Sequence, residues 1–241
     1  MAPSGVAGGL DEAAYGLVAG NRVLRFIPEA DLRALVRRSR VRVIEAREQV
    51  FEQGDEGRSV LVVLSGYLKL SSTTQGGREA ILDIAGPGSV FGEIAVLNDW
   101  PRAAGAVALS PARLLSIDGA AFTQTLLRTP EALLAMVRLV SDRLRTATRQ
   151  MTDAVDLPAS TRVAKALVYL AAIHSRVEEA GLRIEFQLSQ RELGGLTGLT
   201  RESINKHLAT FRDAGWIRLA GQDIILTNLA AMRQDIEAHS V

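Results

Sequence analysis

The chain has no cysteine. That absence excludes disulfides, thiolate-ligated iron–sulfur clusters and cysteine redox switches within it. Histidine is scarce as well. His174, His207 and His239 are the only three, and all lie in the C-terminal part, so a histidine-ligated haem is not expected in the N-terminal part. No apolar run approaches the ~20 residues that span a bilayer, and no membrane partner is expected. Neither sign of charge is in excess: 28 Lys and Arg face 27 Asp and Glu, a net charge of +1. The stretch from Asp156 to Val241 is neutral too, with ten basic and ten acidic residues. Any contact with nucleic acid must therefore come from local placement of charge, not from a basic domain. The segment Met1–Gly20 is rich in small residues and carries Asp11 and Glu12 where a secretory leader carries basic residues. It does not read as a signal peptide, a cytoplasmic location is expected, and part of the segment is expected to be disordered.

What is present divides the chain. At 241 residues it can hold two modest domains. Pro28 through Val36 reads as a short helix with Leu32, Leu35 and Val36 on one side. From Val41 to Ile117 short β-branched runs follow: Val41–Ile44, Val60–Leu64, Tyr67–Leu70, Ile81–Ile84, Val107–Leu109 and Leu114–Ile117. Gly54-Asp55, Ser65-Gly66, Gln75-Gly76-Gly77 and Gly86-Pro87-Gly88 punctuate them, a spacing that suggests a jelly roll or barrel. After Asp118 a helical period returns. Thr129-Pro130-Glu131 is a good helix start. Leu133, Val137, Val140, Leu144, Ala147, Met151 and Ala154 then recur at spacings of four and three, a heptad seam. Such a seam either packs on its own β-domain or pairs with a second copy. Leu157-Pro158 ends it. Ser160 is expected to cap the next helix, which carries Val163, Ala166, Leu167 and Leu170 on one face. Ser189–Leu196 and Thr200–Asp213 read as two helices around a tight Thr197-Gly198-Leu199 turn. Trp216–Leu219 and Asp223–Leu226 read as a hairpin around Gly221.

Two segments carry chemistry. Phe91-Gly92-Glu93-Ile94-Ala95-Val96-Leu97 is followed by Pro101-Arg102-Ala103-Ala104, which sets an acid and an arginine nine residues apart in an apolar, β-rich region. A buried guanidinium needs an anion. Arginine's planar fork suits phosphate oxygens, and Glu93 can accept from a sugar hydroxyl. The segment describes a pocket for a phosphorylated, ribose-bearing small molecule; the alternative is a structural Glu93–Arg102 ion pair. In the second segment, Ile204, Leu208 and Phe211 share one helix face, and Arg201, Glu202, Asn205 and Lys206 lie opposite. Those four can reach base edges, or they form an ordinary solvated face.

The first segment resembles the phosphate-binding cassette of cyclic-nucleotide-binding domains. Leu188-Ser189-Gln190-Arg191-Glu192-Leu193 through Thr200-Arg201-Glu202-Ser203-Ile204-Asn205-Lys206 resembles the helix-turn-helix of the CRP/FNR transcription regulators. The resemblance runs from about Val23 to about Asn228. It implies an α+β protein: an N-terminal β jelly roll of the cyclic-nucleotide-binding type (1–128), a long dimerisation helix and hinge (129–157) and a C-terminal winged helix-turn-helix (158–241). By resemblance, Gly92 and Glu93 hold the ribose 2′-hydroxyl and Arg102 the cyclic phosphate. Ile94 lies within the cassette, and the Ala103 backbone N–H also reaches the phosphate. Thr148 faces the base, where Ala147 lacks the hydroxyl that the pattern carries. The ligand implied is cAMP, with cGMP the second choice, since Ala103 lacks a hydroxyl for guanine. No metal, haem or iron–sulfur cofactor is implied.

On the DNA side, Arg201, Glu202 and Lys206 would read a palindromic duplex with TGTGA-like halves, while Ser189, Gln190 and Thr200 hold phosphates. Lysine at 206, where the best-known member has arginine, offers a point charge in place of a fork. The implied partners are double-stranded DNA, a second copy of the chain and RNA polymerase. A regulator indifferent to cyclic nucleotides, or a nucleotide-binding module acting through a protein partner, are the alternatives. An enzyme is not expected: there is no Walker loop, no metal cluster and no histidine near the pocket segment.

Overall fold

The computed structural model describes residues 10–74, 76–77 and 79–239. They form two compact units. One comprises the described residues through Thr73 together with Asp83–Arg145; the other comprises Thr74–Leu82 and Thr146 onward. The expected disorder near the N-terminus lies in part outside the described residues. Within them, the segment is ordered: Asp11 accepts from Ala14 N at 2.7 Å and caps helix α1 (Glu12–Ala19), which buries Ala14, Tyr15 and Val18. Helix α2 (Glu29–Arg38) follows, its basic end complementing the helix dipole.

Eight strands build the β-domain: β1 (Arg40–Ile44), β2 (Gln49–Phe51), β3 (Ser59–Ser65), β4 (Leu68–Thr73), β5 (Glu79–Ala85), β6 (Val90–Phe91), β7 (Gly105–Ala108) and β8 (Ala112–Asp118). They order as β1-β8-β3-β6 and β2-β7-β4-β5, the two sheets of a jelly roll. The unbroken apolar run of β3 has a simple cause. Val60, Val62 and Leu64 face a cluster with Tyr15, Leu32, Leu35, Phe122, Leu126 and Met136 from the helices. Leu61 and Val63 face the second sheet, with Leu68, Ala106 and Ala108. Both faces are covered, so the run need not alternate. In register, β3 and β8 pair Val60 with Ile117 and Val62 with Leu115.

Helix α3 (Glu93–Asn98) lies between β6 and β7, and α4 (Gly119–Arg128) follows β8, capped by Asp118. Helix α5 (Pro130–Asp156) is 27 residues long. Ala132, Ala135, Met136 and Leu139 of α5 pack on the β-domain. The heptad seam is a different face: Leu133, Val137, Val140, Leu144 and Met151 are exposed, Leu144 at 69% and Met151 at 72%. The reading in which the seam packs on its own β-domain is thereby corrected, because a stripe of smaller residues does that packing.

In the second unit, helix α6 (Ala159–His174) buries Val163, Ala164, Leu167, Leu170 and Ala171. Ser160 does not cap it. The cap position falls two residues earlier, at Pro158, and no side-chain hydrogen bond caps the helix there. Strands β9 (Ser175–Glu178) and β10 (Gly181–Ile184) follow, a hairpin with no strong sequence signal. Helices α7 (Gln190–Thr197) and α8 (Arg201–Asp213) come next, then β11 (Ile217–Ala220), β12 (Asp223–Leu226) and α9 (Leu229–His239). The wing is a four-stranded sheet ordered β11-β12-β10-β9, not a lone hairpin.

Candidate functional site

Gly92 ends β6 with φ +83°, and any Cβ there would collide with Arg102 Nη1. Only glycine lets the chain turn into α3 while the arginine passes. Arg102 is 6% exposed. Its Nη1 donates to Gly92 O at 2.9 Å, and its Nη2 donates to Ser59 O at 2.8 Å and Ser59 Oγ at 3.3 Å. The guanidinium lies over the Phe51 ring, 4.4 Å from the centroid. Its backbone is pinned too, with Arg102 N donating to Asp55 O and Gly54 N to Arg102 O. Among the described residues, every hydrogen-bond partner of the guanidinium is a neutral oxygen, and Nε is buried without one. Burial lowers the Arg102 pKa, while the charges of Glu93 and Asp55 act in the opposite direction. A buried cation held by carbonyls and without an ion-paired carboxylate among the described residues is a site suited to an anion.

Glu93, at 1% exposure, does not form an ion pair with Arg102. Its Oε1 accepts from Arg143 Nη1, and Arg143 Nη2 also donates to Val90 O at 2.6 Å. The structural Glu93–Arg102 pair that the sequence allowed is therefore replaced by a Glu93–Arg143 pair that ties α5 to the cassette. Arg143 was missed because it lies 50 residues from Glu93; its one sequence signal is a cation beside the apolar seam. Ser59 and Phe51 had no signal. Gly92, Glu93 and Arg102 come together here. Ile94 is 37% exposed on α3 and Ala103 is exposed just after Arg102. Thr148 falls on the part of α5 that belongs to the other unit.

The second site is built by local signals. Ser189 and Glu192 form a full capping box at the start of α7. Gly198, at φ +70°, closes α7 in the left-handed conformation, and Thr200 Oγ1 accepts from Ser203 N at 3.2 Å to start α8. Ile204, Leu208 and Phe211 are buried, and Phe211 stacks on Trp216 at 5.1 Å. Arg201, Glu202, Asn205 and Lys206 are exposed on the other side. The side chains of Arg201, Glu202 and Lys206 make no ion pair or hydrogen bond among the described residues. Gln190 Nε2 donates to Asn205 Oδ1 at 3.2 Å, linking the two helices. His207, beside Lys206, has its pKa lowered by burial first and by the lysine charge second.

Two family profiles match: a cyclic nucleotide-binding domain over residues 41–129 and a Crp-like helix-turn-helix domain over 161–235. A CRP-like cAMP-activated global transcriptional regulator of Mycobacterium tuberculosis is 33% identical over 179 residues, covering 74% of this chain and 80% of the relative. The cyclic AMP receptor protein of Thermus thermophilus is 32% identical over 187 residues, covering 78% and 83%. Among solved structures, the c-di-GMP responsive global regulator CLP of Xanthomonas campestris superposes with a TM-score of 0.70 at 23% identity, covering 83% of this chain and 99% of that one; it attests the fold. The chain belongs to the CRP/FNR family of transcription regulators, with a cyclic nucleotide-binding domain and a Crp-like helix-turn-helix.

Proposed function

We propose that this regulator is a cytoplasmic homodimer whose binding to palindromic DNA is controlled by cAMP, held by Gly92, Glu93, Ile94, Arg102 and Ala103, with Thr148 toward the base. The observation that carries this reading is Arg102: a 6% exposed cation whose donors meet only neutral oxygens. A cyclic phosphate supplies the missing negative charge. Ala103, without a hydroxyl for guanine, favours cAMP over cGMP. Two relatives more than 30% identical carry cAMP in their names, which supports the same choice. The domain limits 1–128, 129–157 and 158–241 go with this reading. Arg201, Glu202 and Lys206 read bases, while Ser189, Gln190 and Thr200 hold phosphates. The exposed seam from Leu133 to Met151 pairs two copies, and RNA polymerase is the partner at the promoter. Two-fold symmetry then sets half-sites one helical turn apart. A second reading, a regulator indifferent to cyclic nucleotides, draws on the Glu93–Arg143 ion pair, which already engages Glu93.

Calorimetry on protein freed of nucleotide tests the effector. One cAMP per subunit is expected, bound more tightly than cGMP, with binding of both lost in Arg102→Leu. Equal DNA affinity of wild type and Arg102→Leu, unmoved by either nucleotide, overturns it in favour of the second reading. Sedimentation tests the assembly. Val140→Glu with Leu144→Glu should give a folded monomer that no longer binds its site, and a monomeric wild type would refute the pairing.

A further inference from the structure

Phe51 owes its place to an irregularity in β2. Gln49 pairs with Val107 of β7 and Phe51 pairs with Ala106, so β2 carries one residue more than its partner at Val50, a β-bulge. In a regular strand successive side chains point to opposite faces. Here Val50 and Phe51 both pack on the cluster that holds Leu61, Phe91 and Ala106. The Phe51 ring meets that of Phe91 with centroids 6.0 Å apart, and the Phe51 carbonyl accepts from Gln49 Nε2 at 3.0 Å. The turn that follows is tied to the Arg102 backbone, through Gly54 N and Asp55 O. Ring and arginine are thus carried by one pinned frame, with the guanidinium carbon 4.4 Å from the ring centroid.

An aromatic face is negative at its centre and attracts a guanidinium lying over it. It carries no net charge and takes up no N–H of the arginine. A carboxylate in its place would hold the cation more strongly, but it would occupy the donors and repel an incoming anion. The ring covers a face of the guanidinium, whereas the N–H groups point outward from its edge. Among the described residues, Nε keeps an unused donor on that edge. We propose that Phe51 is a positioning residue for anion binding: it holds the Arg102 guanidinium by its face, so that the N–H edge is set for a phosphate before the ligand arrives. The proposal rests on the reading of Arg102 as the phosphate-binding residue and goes beyond it by assigning the group that orders the arginine. Such preordering removes part of the rotamer cost that binding would otherwise meet.

The test is calorimetry with cAMP and with cGMP on full-length protein freed of nucleotide. Phe51→Leu keeps an apolar side chain and loses the ring. It should weaken both nucleotides equally, by about tenfold, the worth of one desolvated cation–π contact acting on the phosphate they share. Phenylalanine carrying one, two or three ring fluorines at position 51 changes the charge distribution of the ring with little change of volume. Affinity should fall stepwise along that series, a trend that packing alone does not produce. Losses that differ between cAMP and cGMP place the ring's influence on the base and overturn the proposal. An affinity that stays level or rises along the series overturns it as well, and loss of binding in Arg102→Leu then leaves the phosphate reading standing. A wild type that binds neither nucleotide overturns the phosphate reading and this role of Phe51 with it.

Discussion

The two sites solve the problem of charge in opposite ways. Around Arg102 and Glu93 the charged groups are buried and held before any ligand arrives: two backbone carbonyls and an aromatic face fix the guanidinium, and Arg143 fixes the carboxylate. On α8, Arg201, Glu202 and Lys206 project into water with only their helix fixed. Ordering a long charged side chain costs up to ~2 kcal/mol in rotamer freedom. The buried site has met that cost during folding, and the exposed one meets it on binding. A buried site of this kind is suited to one small ligand of fixed shape. An exposed face suits a surface whose sequence varies, and there a Gln190–Asn205 hydrogen bond links the two helices.

Arg102→Leu should give the largest effect and tests whether the buried site is built for an anion. It should cost ~2–5 kcal/mol in nucleotide binding, read by calorimetry, as for loss of one partner in a buried charge contact. A loss under tenfold would remove the anion from the comparison. Arg143→Met should lower the stability of the nucleotide-free chain by about 3 kcal/mol in urea unfolding, because Glu93 stays buried without its cation. The figure is at the low end because the Arg143 side chain keeps 26% of its surface in water. Arg201→Ala should cost ~1–3 kcal/mol on the specific DNA site while leaving stability within ~0.5 kcal/mol. If it unfolds the chain as Arg143→Met does, the contrast between buried and exposed sites fails.

The smallest effect concerns acid. The folded His207 pKa is depressed, so the unfolded chain takes up this proton at higher pH than the folded one. Its effect on stability should be nil above the ordinary histidine range and should turn unfavourable as pH falls through it. Thermal unfolding of the full chain, followed at the second unit, should show this decline, and His207→Gln should reduce it. The jelly-roll segment has no histidine and should lack that step.

The helix-turn-helix was legible because its signals are local. Ser189, Glu192, Gly198 and Thr200 mark the ends of two short helices, and Ile204, Leu208 and Phe211 mark the inner face. The cassette was legible for the same reason, as one contiguous run. What stayed hidden is non-local. The partner of Glu93 lies on a different element, and Ser59 meets Arg102 across 43 residues. Strands β2 and β6 are three and two residues long, too short for any period to emerge. The seam of α5 outshone its packing face because Leu and Val dominate a hydrophobic pattern, whereas Ala132 and Ala135 add little to one and pack closely.

The uncompensated charge at Arg102 has a consequence for the lifetime of the protein in a cell. An anion that binds the folded chain alone shifts unfolding by mass action, by ~2.7 kcal/mol at a hundred times its dissociation constant. Where degradation proceeds through the open form, its rate follows the population of that form. Under the proposed function, scarcity of the effector would both silence the regulator and shorten its survival. A return of effector would then meet a smaller pool, and the response would carry a memory as long as the time needed to synthesise the protein again.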